Sequence, residues 1–433
     1  MMSDAVNFNP ETCDIFCAVV DNYGDIGVSW RLARQLAHEH GIQVRLWVDD
    51  LRSFAKLCPE VDAGLDEQCC RGVQVRRWDT TLSPSPSPAC GRGGAIGRER
   101  VPDLVIEAFA CKLPESYVEA MAALERKPVW LNLEYLSAED WVEGAHRLPS
   151  PHMRLPLTKY FFFPGFTAKT GGLLLERDLL ARRDAFQSDP AIQQAYWHRL
   201  GVPERAAGEL RVSLFCYENA GVGALLRAWA ESATPVVCCV PEGRVLPQVA
   251  AFFGKPAGKA GDAWQHGNLS VYVLPFVEQD HYDELLWACD LNFVRGEDSC
   301  VRAQWAGKPF VWHIYPQHDG VQLRHGAAEP TGAGATALHP LPQSADFASN
   351  VSGVHMQKLR ALSDLYGAGL PAAAHQANAA LWLAWNGEGD ISAAWSAYAA
   401  QLGWLEHHAA AWSAKLAAND LALNLLAFSR QVA

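Results

Sequence analysis

The chain has 433 residues, of which 49% are hydrophobic and 19% charged, and its formal net charge is −12. This length exceeds what one hydrophobic core usually supports, so two domains are expected. The acidic balance argues against a nucleic-acid-binding surface, because phosphate contacts require a basic patch. No apolar run reaches the ~18 residues that a membrane span needs, and the N-terminus lacks the features of a signal peptide.

Cysteine and histidine usage indicates neither disulfides nor a metal site. The twelve cysteines are scattered, with two adjacent pairs, Cys69-Cys70 and Cys238-Cys239, and no C-x-x-C spacing. A reduced, cytoplasmic location fits this pattern best. The fifteen histidines form no H-E-x-x-H motif, and neither a G-x-S-x-G elbow nor a P-loop occurs, so hydrolase and NTPase functions lose their usual support.

The first half of the chain alternates short apolar runs with helical patterns. The predicted strands are 13–20, 43–48, 73–78, 104–107 and 129–133, and the predicted helices are 30–40, 51–58 and 115–125. Repeated βα units of this kind predict a doubly wound parallel sheet. Residues 83–100 have the composition of a mobile loop and predict a disordered insertion.

The same alternation restarts after a domain change that is expected between Gly172 and Gly208. The predicted strands are 211–215, 235–240, 270–274, 291–294 and 310–314, and the predicted helices are 221–232, 282–288 and 300–306. From residue 372 the chain is rich in alanine and tryptophan and almost wholly helical in pattern. The predicted units are an N-terminal Rossmann-like domain, 1–188, a C-terminal Rossmann-like domain, 189–410, and a C-terminal helix in 411–433 that packs back on the first domain.

Two Rossmann-like halves with a helical tail predict the α/β architecture called GT-B, in which the active site lies in the cleft between the halves. The alternative is a pair of tandem α/β domains without a shared site.

The turn after the first strand holds two carboxylates, Asp21 and Asp25, around Asn22, Tyr23 and Gly24. Acids near a helix N-terminus are favoured by the helix dipole, so the simplest interpretation is a capped βα turn. The three glycines of a dinucleotide fingerprint are absent. The turn is therefore either an ordinary cap or a carboxylate site that does not hold a dinucleotide.

A second turn, at residues 295–299, also ends a strand and begins a helix. Its backbone N–H groups could hold a pyrophosphate, with Arg295 and Ser299 adding polar contacts. Glu297 and Asp298 would be repelled by phosphate, so one of them should face a sugar hydroxyl or ribose. The alternative is a helix cap with Asp298 or Ser299 as the N-cap residue.

Several aromatic residues lie beside polar groups in the second half. They are Phe215, Tyr217, Phe276, Gln279 and Tyr282. A planar base needs a stacking face and a polar group to read its edge. Most aromatic residues of such proteins lie in the core, so this signal alone is weak, and His313 is predicted to be a core histidine.

Longer blocks of sequence resemble a known family. Residues 21–27 with 29–34 are similar to the N-terminal signature of the bacterial elongation factor P arginine rhamnosyltransferases, the EarP family. Further blocks that resemble the family are 47–50, 132–137, 169–173, 275–279, 295–310 and 313–317. The resemblance covers nearly the whole chain, and residues 83–100 and 327–337 depart from it.

The resemblance implies a GT-B enzyme that transfers L-rhamnose from dTDP-β-L-rhamnose to one arginine of elongation factor P, for the rescue of ribosomes stalled at polyproline. It further implies inversion at the anomeric carbon without a metal or other cofactor, with Asp25 as the general base and Asp21 and Glu297 as further essential acids. The donor-binding positions that it implies are Asn22, Tyr23, Gly24, Tyr217, Phe276, Gln279, Tyr282, Arg295, Gly296, Asp298, Ser299 and Tyr315.

A guanidinium has a pKa above about 12, so a carboxylate cannot simply deprotonate it in the ground state. We expect Asp25 to hold the acceptor arginine bidentately and to take the proton late, as the C–N bond forms. Two other functions remain open. One is a GT-B glycosyltransferase with another nucleotide sugar and a small or lipid-linked acceptor, and the other is a non-catalytic protein that binds a nucleotide or elongation factor P.

Overall fold

The computed structural model describes residues 8–20, 23–78, 102–315 and 353–433. Four predicted features lie outside these ranges: Asp21, Asn22, the 83–100 insertion and the 327–337 segment. Among the residues described, no helix is both long and apolar enough to cross a membrane.

The first half forms an eight-stranded sheet in the order β3-β4-β2-β1-β5-β6-β8-β7. Its strands are β1 (Thr12–Cys17), β2 (Gln43–Val48), β3 (Glu67–Cys70), β4 (Val73–Arg77), β5 (Leu104–Ala108), β6 (Val129–Leu133), β7 (Pro149–Pro151) and β8 (Thr158–Phe162). Its helices are α1 (Gly24–His40), α2 (Leu51–Leu57), α3 (Glu115–Ala123) and α4 (Trp141–Ala145).

The central strands are parallel, as predicted, and β1, β5 and β6 are almost fully buried because helices cover both faces of the sheet. Two antiparallel edge strands, β3 and β7, were not predicted. Both are short, and β7 consists of two prolines around a serine, so neither shows the apolar pattern of a strand. Prolines on an edge strand are expected, since that position needs fewer ladder hydrogen bonds.

The second half forms a six-stranded sheet in the order β11-β12-β10-β9-β13-β14. Its strands are β9 (Leu210–Leu214), β10 (Val236–Pro241), β11 (Ala263–His266), β12 (Leu269–Leu274), β13 (Leu291–Arg295) and β14 (Phe310–His313). The helices before and between them are α5 (Leu179–Ser188), α6 (Pro190–Arg199), α7 (Val222–Ala230), α8 (Leu246–Phe252), α9 (Gln279–Ala288) and α10 (Gly296–Trp305). Only β11 is antiparallel among these strands.

The C-terminal region of the chain is helical. Its helices are α11 (Val354–Gly367), α12 (Ala372–Trp385), α13 (Ile391–Ala399), α14 (Leu402–Leu416) and α15 (Leu421–Val432). Helix α14 stays with the second half, where Trp412 donates a hydrogen bond to Gln304 (2.9 Å). Helix α15 packs on the first sheet, with the Phe428 ring edge-on to Tyr160 at a centroid distance of 5.4 Å. The chain therefore returns to its first half after α14.

The two halves meet where α1 packs against α10. These are the helices that follow the two turns singled out in the sequence, because α1 follows β1 and α10 follows β13. The fold thus brings both turns to one cleft, as in other open α/β sheets whose sites lie beyond the carboxyl ends of the strands. This confirms the predicted GT-B architecture, and the alternative of tandem domains without a shared cleft is wrong.

Candidate active site

A cleft that is partly open to solvent lies between the halves. The predicted residues that line it are Tyr23, Gly24, Phe215, Phe276, Gln279, Tyr282, Arg295, Gly296, Asp298 and Ser299. Three further lining residues, Leu57, Pro241 and Val277, were not predicted as site residues. They are apolar residues at or near the ends of elements, and nothing in their sequence context distinguishes them from core residues.

Asp25 lies in the first turn of α1, beside Gly24, and only 3% of its surface is exposed. Its Oδ2 atom accepts a hydrogen bond from the backbone N–H of Val20 (2.8 Å). No side-chain hydrogen bond caps this helix, whose N-cap residue is Tyr23. The carboxylate is therefore held in part by the backbone of the loop that follows β1.

Tyr135, which follows β6, is a neighbour of Asp25 that sequence reasoning missed. Burial raises the pKa of Tyr135 well above its ordinary value, and the charges of Asp25 and Glu297 raise it further, so the hydroxyl stays protonated and can donate to Asp25. The ring of Tyr135 stacks on Phe109 at a centroid distance of 4.7 Å. Phe109 and Ala110 both have positive φ, at 56° and 55°, a costly backbone conformation that holds the Phe109 ring against Tyr135.

Glu297, in the first turn of α10, connects three parts of the chain. Its Oε2 atom accepts from the backbone N–H of Leu136 (2.9 Å), and its Oε1 atom accepts from Nζ of Lys358 in α11 (3.0 Å). The ammonium of Lys358 also lies 5.4 Å from the centre of the Tyr135 ring. Sequence reasoning missed Lys358, which is distant in the chain and lies in no recognisable motif.

Asp298 is also paired with a cation. Its Oδ1 atom accepts from Nε of Arg31 in α1 (2.9 Å), and its Oδ2 atom accepts from Nε2 of Gln279 (3.1 Å). From the sequence alone, no partner could be predicted for Glu297 or Asp298, although both lie beside a predicted phosphate site. In the structure each acid contacts a cation, Lys358 or Arg31, so their charges are largely neutralised within the protein.

Arg295 is 5% exposed and ends β13 in the cleft. Its guanidinium carbon lies 4.6 Å from the centre of the Phe215 ring and 4.8 Å from that of Tyr217. Among the described residues its Nη1 atom has no hydrogen-bond partner. A buried cation with an unused donor beside an open cleft is suited to bind an anion, and a planar guanidinium is well matched to phosphate.

Helix α10 adds a second source of positive potential beside Arg295. Gly296 has a φ of +64°, which favours glycine, and the N-cap residue is Arg295, without a side-chain cap. The interpretation of Asp298 or Ser299 as the N-cap is therefore wrong, because the helix begins earlier than the sequence predicted. Its first N–H groups, with the positive end of the helix dipole, lie at the cleft.

The aromatic residues surround this anion site. The ring of Tyr23 lies 5.2 Å from that of Phe276, the ring of Phe215 5.4 Å from that of Tyr282, and that of Tyr217 5.5 Å from Tyr315. Ser299 lies near the Tyr282 hydroxyl, although burial keeps the pKa of this phenol above its ordinary value. Most of the described positions that were predicted to bind the donor thus line the cleft, whereas Tyr217 and Tyr315 lie behind it, next to Arg295 and to each other.

His313 was predicted to be a core histidine, and the structure confirms this. Its side chain is buried behind Tyr217, with a ring-centroid distance of 5.2 Å. Burial, with the neighbouring charge of Arg295, lowers the pKa of His313 to about 4. Within the described part of the chain, no group of three or more His, Cys, Asp or Glu residues is arranged to hold a metal ion.

Comparisons with known proteins identify the family. The model of the elongation factor P (EF-P) rhamnosyltransferase family, EarP, matches residues 13–328 and 349–430. The chain belongs to this family. A protein-arginine rhamnosyltransferase of Pseudomonas putida is 47% identical over 420 residues, which is 97% of this chain and 98% of the relative. A protein of the same name from Pseudomonas aeruginosa is 44% identical, covering 96% of this chain and 98% of the relative.

A solved structure that describes EarP-mediated arginine glycosylation of translation elongation factor EF-P is also similar. The two chains are 36% identical, the match covers 98% of this chain and 99% of the chain in the solved structure, and the TM-score is 0.63. Membership in the EarP family confirms the resemblance seen in the sequence. A glycosyltransferase must hold a negatively charged leaving group on one side of the sugar and an acceptor on the other. This requirement gives a chemical context to the two turns, one with the carboxylate of Asp25 and the other with the guanidinium of Arg295.

Proposed function

We propose that the protein transfers L-rhamnose from dTDP-β-L-rhamnose to an arginine side chain of elongation factor P, with inversion and without a metal ion. The modified factor would then serve in rescue of ribosomes stalled at polyproline. The observation that carries the proposal is that two side chains of opposite charge, Arg295 and Asp25, lie at the two turns that meet at the cleft, Arg295 lining it and Asp25 directly following the lining residue Gly24. Arg295 presents an unused donor for an anion, and Asp25 is a buried carboxylate at the facing turn, suited to a cation.

On the donor side, the nucleoside diphosphate would bind at Arg295 and at the first N–H groups of α10. The base would stack among the aromatic residues, with Phe276 and Phe215 at the cleft surface. As the bond from the anomeric carbon to the diphosphate oxygen breaks, its electron pair leaves with the diphosphate. Fixed donors aimed at that developing charge supply the stabilisation that a metal ion gives in other enzymes.

On the acceptor side, the guanidinium would be held in its protonated form by Asp25. The Oδ2 atom of Asp25 already accepts from Val20, and Tyr135 donates to the same carboxylate. These contacts fix the carboxylate in the orientation in which it would accept N–H groups of the arginine. One nitrogen then attacks the anomeric carbon from the face opposite the leaving diphosphate, which inverts the configuration, and its proton passes to Asp25 as the C–N bond forms.

Glu297, in the first turn of α10, would orient the sugar or support the positive charge that develops at the anomeric carbon of the sugar. The hydrogen bonds from Leu136 and Lys358 hold this carboxylate in place. Asp21, outside the described residues, stays a predicted second ligand of the acceptor guanidinium.

The test is mass spectrometry of elongation factor P after incubation with this protein and dTDP-β-L-rhamnose. We expect one deoxyhexose on one arginine, with undiminished transfer in the presence of a chelator and an α-configured product by NMR. Parallel incubations with UDP-sugars test the alternative donors. Transfer from a UDP-sugar alone, or no modified arginine although dTDP-rhamnose binds, would contradict the proposal.

A further inference from the structure

Arg31, in the first half of the chain, makes most of its polar contacts with the second half. Its side chain is 2% exposed, and its nitrogen atoms contact Asp298 (2.9 Å), Asp283 (3.2 Å) and the backbone oxygen of Gln279 (3.2 Å). A further contact joins it to Glu176 in the segment between the two sheets (3.3 Å). Two of these partners, Asp298 and Gln279, line the cleft.

Building on the proposed function, we infer that Arg31 is a positioning residue for the donor. It reaches across from the acceptor half, neutralises Asp298 and holds it in place at the diphosphate site. Asp298 lies in the first turn of α10, where an unpaired carboxylate would oppose a bound diphosphate. With one oxygen on Arg31 and the other on Gln279, the carboxylate leaves the helix N-terminus and Arg295 free to attract the anion.

The close approach of α1 makes this contact possible. Gly27, one turn before Arg31, accepts a hydrogen bond through its backbone oxygen from Nε2 of Gln279 (2.9 Å). A Cβ atom at Gly27 would lie 3.2 Å from that nitrogen and 3.3 Å from Cβ of Asp298. The two donor-side residues are thus in direct contact with α1, so their positions depend on how the halves are arranged.

Asp283 and Glu176, the other two acids that Arg31 contacts, also contact a second cation. Arg302 in α10 donates two hydrogen bonds to Asp283 (2.9 and 2.7 Å) and one to Glu176 (2.6 Å). Asp298 has no such alternative among its contacts described above and would keep only the neutral amide of Gln279. Removing the Arg31 charge should therefore act on the donor site more than on the rest of the interface.

The experiment measures the dissociation constant of dTDP by calorimetry for the full-length protein and for Arg31→Met. We expect the variant to bind dTDP about tenfold or more weakly, because a buried carboxylate loses its charged partner. Steady-state kinetics should show a raised KM for dTDP-rhamnose and little change in KM for elongation factor P. Adding Asp298→Asn to Arg31→Met should restore most of the lost dTDP affinity, since it removes the unpaired charge.

The matched control is Arg71→Gln. Arg71 also bridges the halves, through Glu278 (2.8 Å) and Asp280 (2.9 Å), but neither partner lines the cleft. We expect this variant to bind dTDP as the wild type does. An equal loss of affinity in Arg71→Gln, or a loss in Arg31→Met that Asp298→Asn does not restore, would mean that the interface is merely loosened and would overturn the inference.

Unchanged dTDP affinity in Arg31→Met would also overturn the inference while leaving the proposed function intact. A wild-type protein that binds no dTDP would instead overturn the proposed donor, and the inference with it. If Arg31→Met does not fold, the same comparison is made with Arg31→Lys. Its single ammonium keeps the charge but cannot contact Asp283, Asp298 and the Gln279 carbonyl together, so a weaker affinity that Asp298→Asn restores is again expected.

Discussion

The two turns that face each other across the cleft have the same local design and opposite chemistry. Each follows a central parallel strand, starts a helix and carries acidic residues in the first helical turn. In the first turn, Asp25 accepts a hydrogen bond from the N–H of Val20 and lies beside the hydroxyl of Tyr135. In the second turn, Glu297 and Asp298 each contact a cation from elsewhere in the chain.

The difference teaches that the number of acids in a turn does not decide what it binds. What decides is which groups the acids already contact and which polar groups stay available. Among the described residues, Nη1 of Arg295 in the second turn has no hydrogen-bond partner, so this turn is suited to an anion. The first turn presents the buried carboxylate of Asp25, which we propose binds the cationic acceptor. The predictions below test this contrast.

The largest effect is expected from Asp25→Asn. The amide keeps the shape of the side chain but removes the charge that we propose holds the acceptor and the base that we propose takes its proton. We expect transfer to elongation factor P to fall about 10³-fold, within the range for loss of a general base. Affinity for dTDP, measured by calorimetry, should stay within a few-fold of the wild-type value, because Asp25 is not among the proposed donor contacts, most of which lie in the other half.

Asp49→Asn is the matched control. Asp49 follows the neighbouring strand β2 and accepts from the backbone N–H of Val19 (2.9 Å), much as Asp25 accepts from Val20. If loss of any carboxylate at this edge disrupted the turn, both variants would lose activity equally. Near-native transfer in Asp25→Asn with intact donor binding would show that the assigned role is wrong.

Arg295→Met tests the opposite turn. Loss of a buried guanidinium that binds phosphate should weaken dTDP affinity about 100-fold, since charge-assisted bonds to phosphate are among the strongest polar contacts. Arg244→Met is the control, because Arg244 also lies over the Tyr217 ring (5.8 Å) but is exposed and paired with Glu218 (2.9 Å). Similar losses in both variants would mean that the ring contacts, rather than the unused donor of Arg295, explain the effect.

The sequence predicted most of the parallel strands and both turns, because buried parallel strands and glycine-containing βα turns have strong local patterns. It could not predict the partners of the acids. Arg31 and Lys358 are 267 and 61 residues from their carboxylates, and such pairs depend on how the halves and the C-terminal helices pack. Tyr135 had a local signal, its position directly after a buried strand, but its contact with Asp25 depends on the order of strands in the sheet.

Low pH should loosen the contact between the helices that carry the two turns. Burial raises the pKa of Glu176, but Arg302 and Arg31 outweigh it and lower this pKa to about 2. The stability from the ionised carboxylate is therefore complete above its unfolded pKa, near 4.5, and is lost as pH falls toward 2. It amounts to about 3 kcal/mol at most, because one pKa unit corresponds to about 1.4 kcal/mol.

Urea unfolding at pH 7 and pH 3 measures this contribution. Glu176→Gln should lower the free energy of unfolding at pH 7, and the gap from the wild type should narrow at pH 3, where the carboxyl of the unfolded wild-type chain is already protonated. Glu115→Gln is the control, since Glu115 is 74% exposed in its pair with Arg154 and such pairs contribute little. A gap that stays constant between the two pH values would contradict the lowered pKa of Glu176.

The smallest effect is expected from Lys358→Met. This change removes the cation that contacts Glu297 but removes no residue that is proposed to contact the substrates. Glu297 would keep the hydrogen bond from Leu136 but lose the ammonium on its other oxygen. We expect kcat to fall about tenfold, because the Glu297 carboxylate would be less well placed after the loss of one charge-assisted hydrogen bond. The control is Lys415→Met on α14, where the exposed ammonium lies over Trp412 (5.3 Å).

The comparison with Arg295→Met then separates the effect of Arg295, which has an unused donor, from that of Lys358, which is paired with Glu297. If Lys358 only pairs Glu297, its loss should lower kcat more than it weakens dTDP affinity, whereas loss of Arg295 should do the reverse. Should Lys358→Met weaken dTDP binding as strongly as Arg295→Met, Lys358 would belong to the anion site itself. The contrast between a paired and an unused cation would then fail for this turn, because both would act directly on the diphosphate.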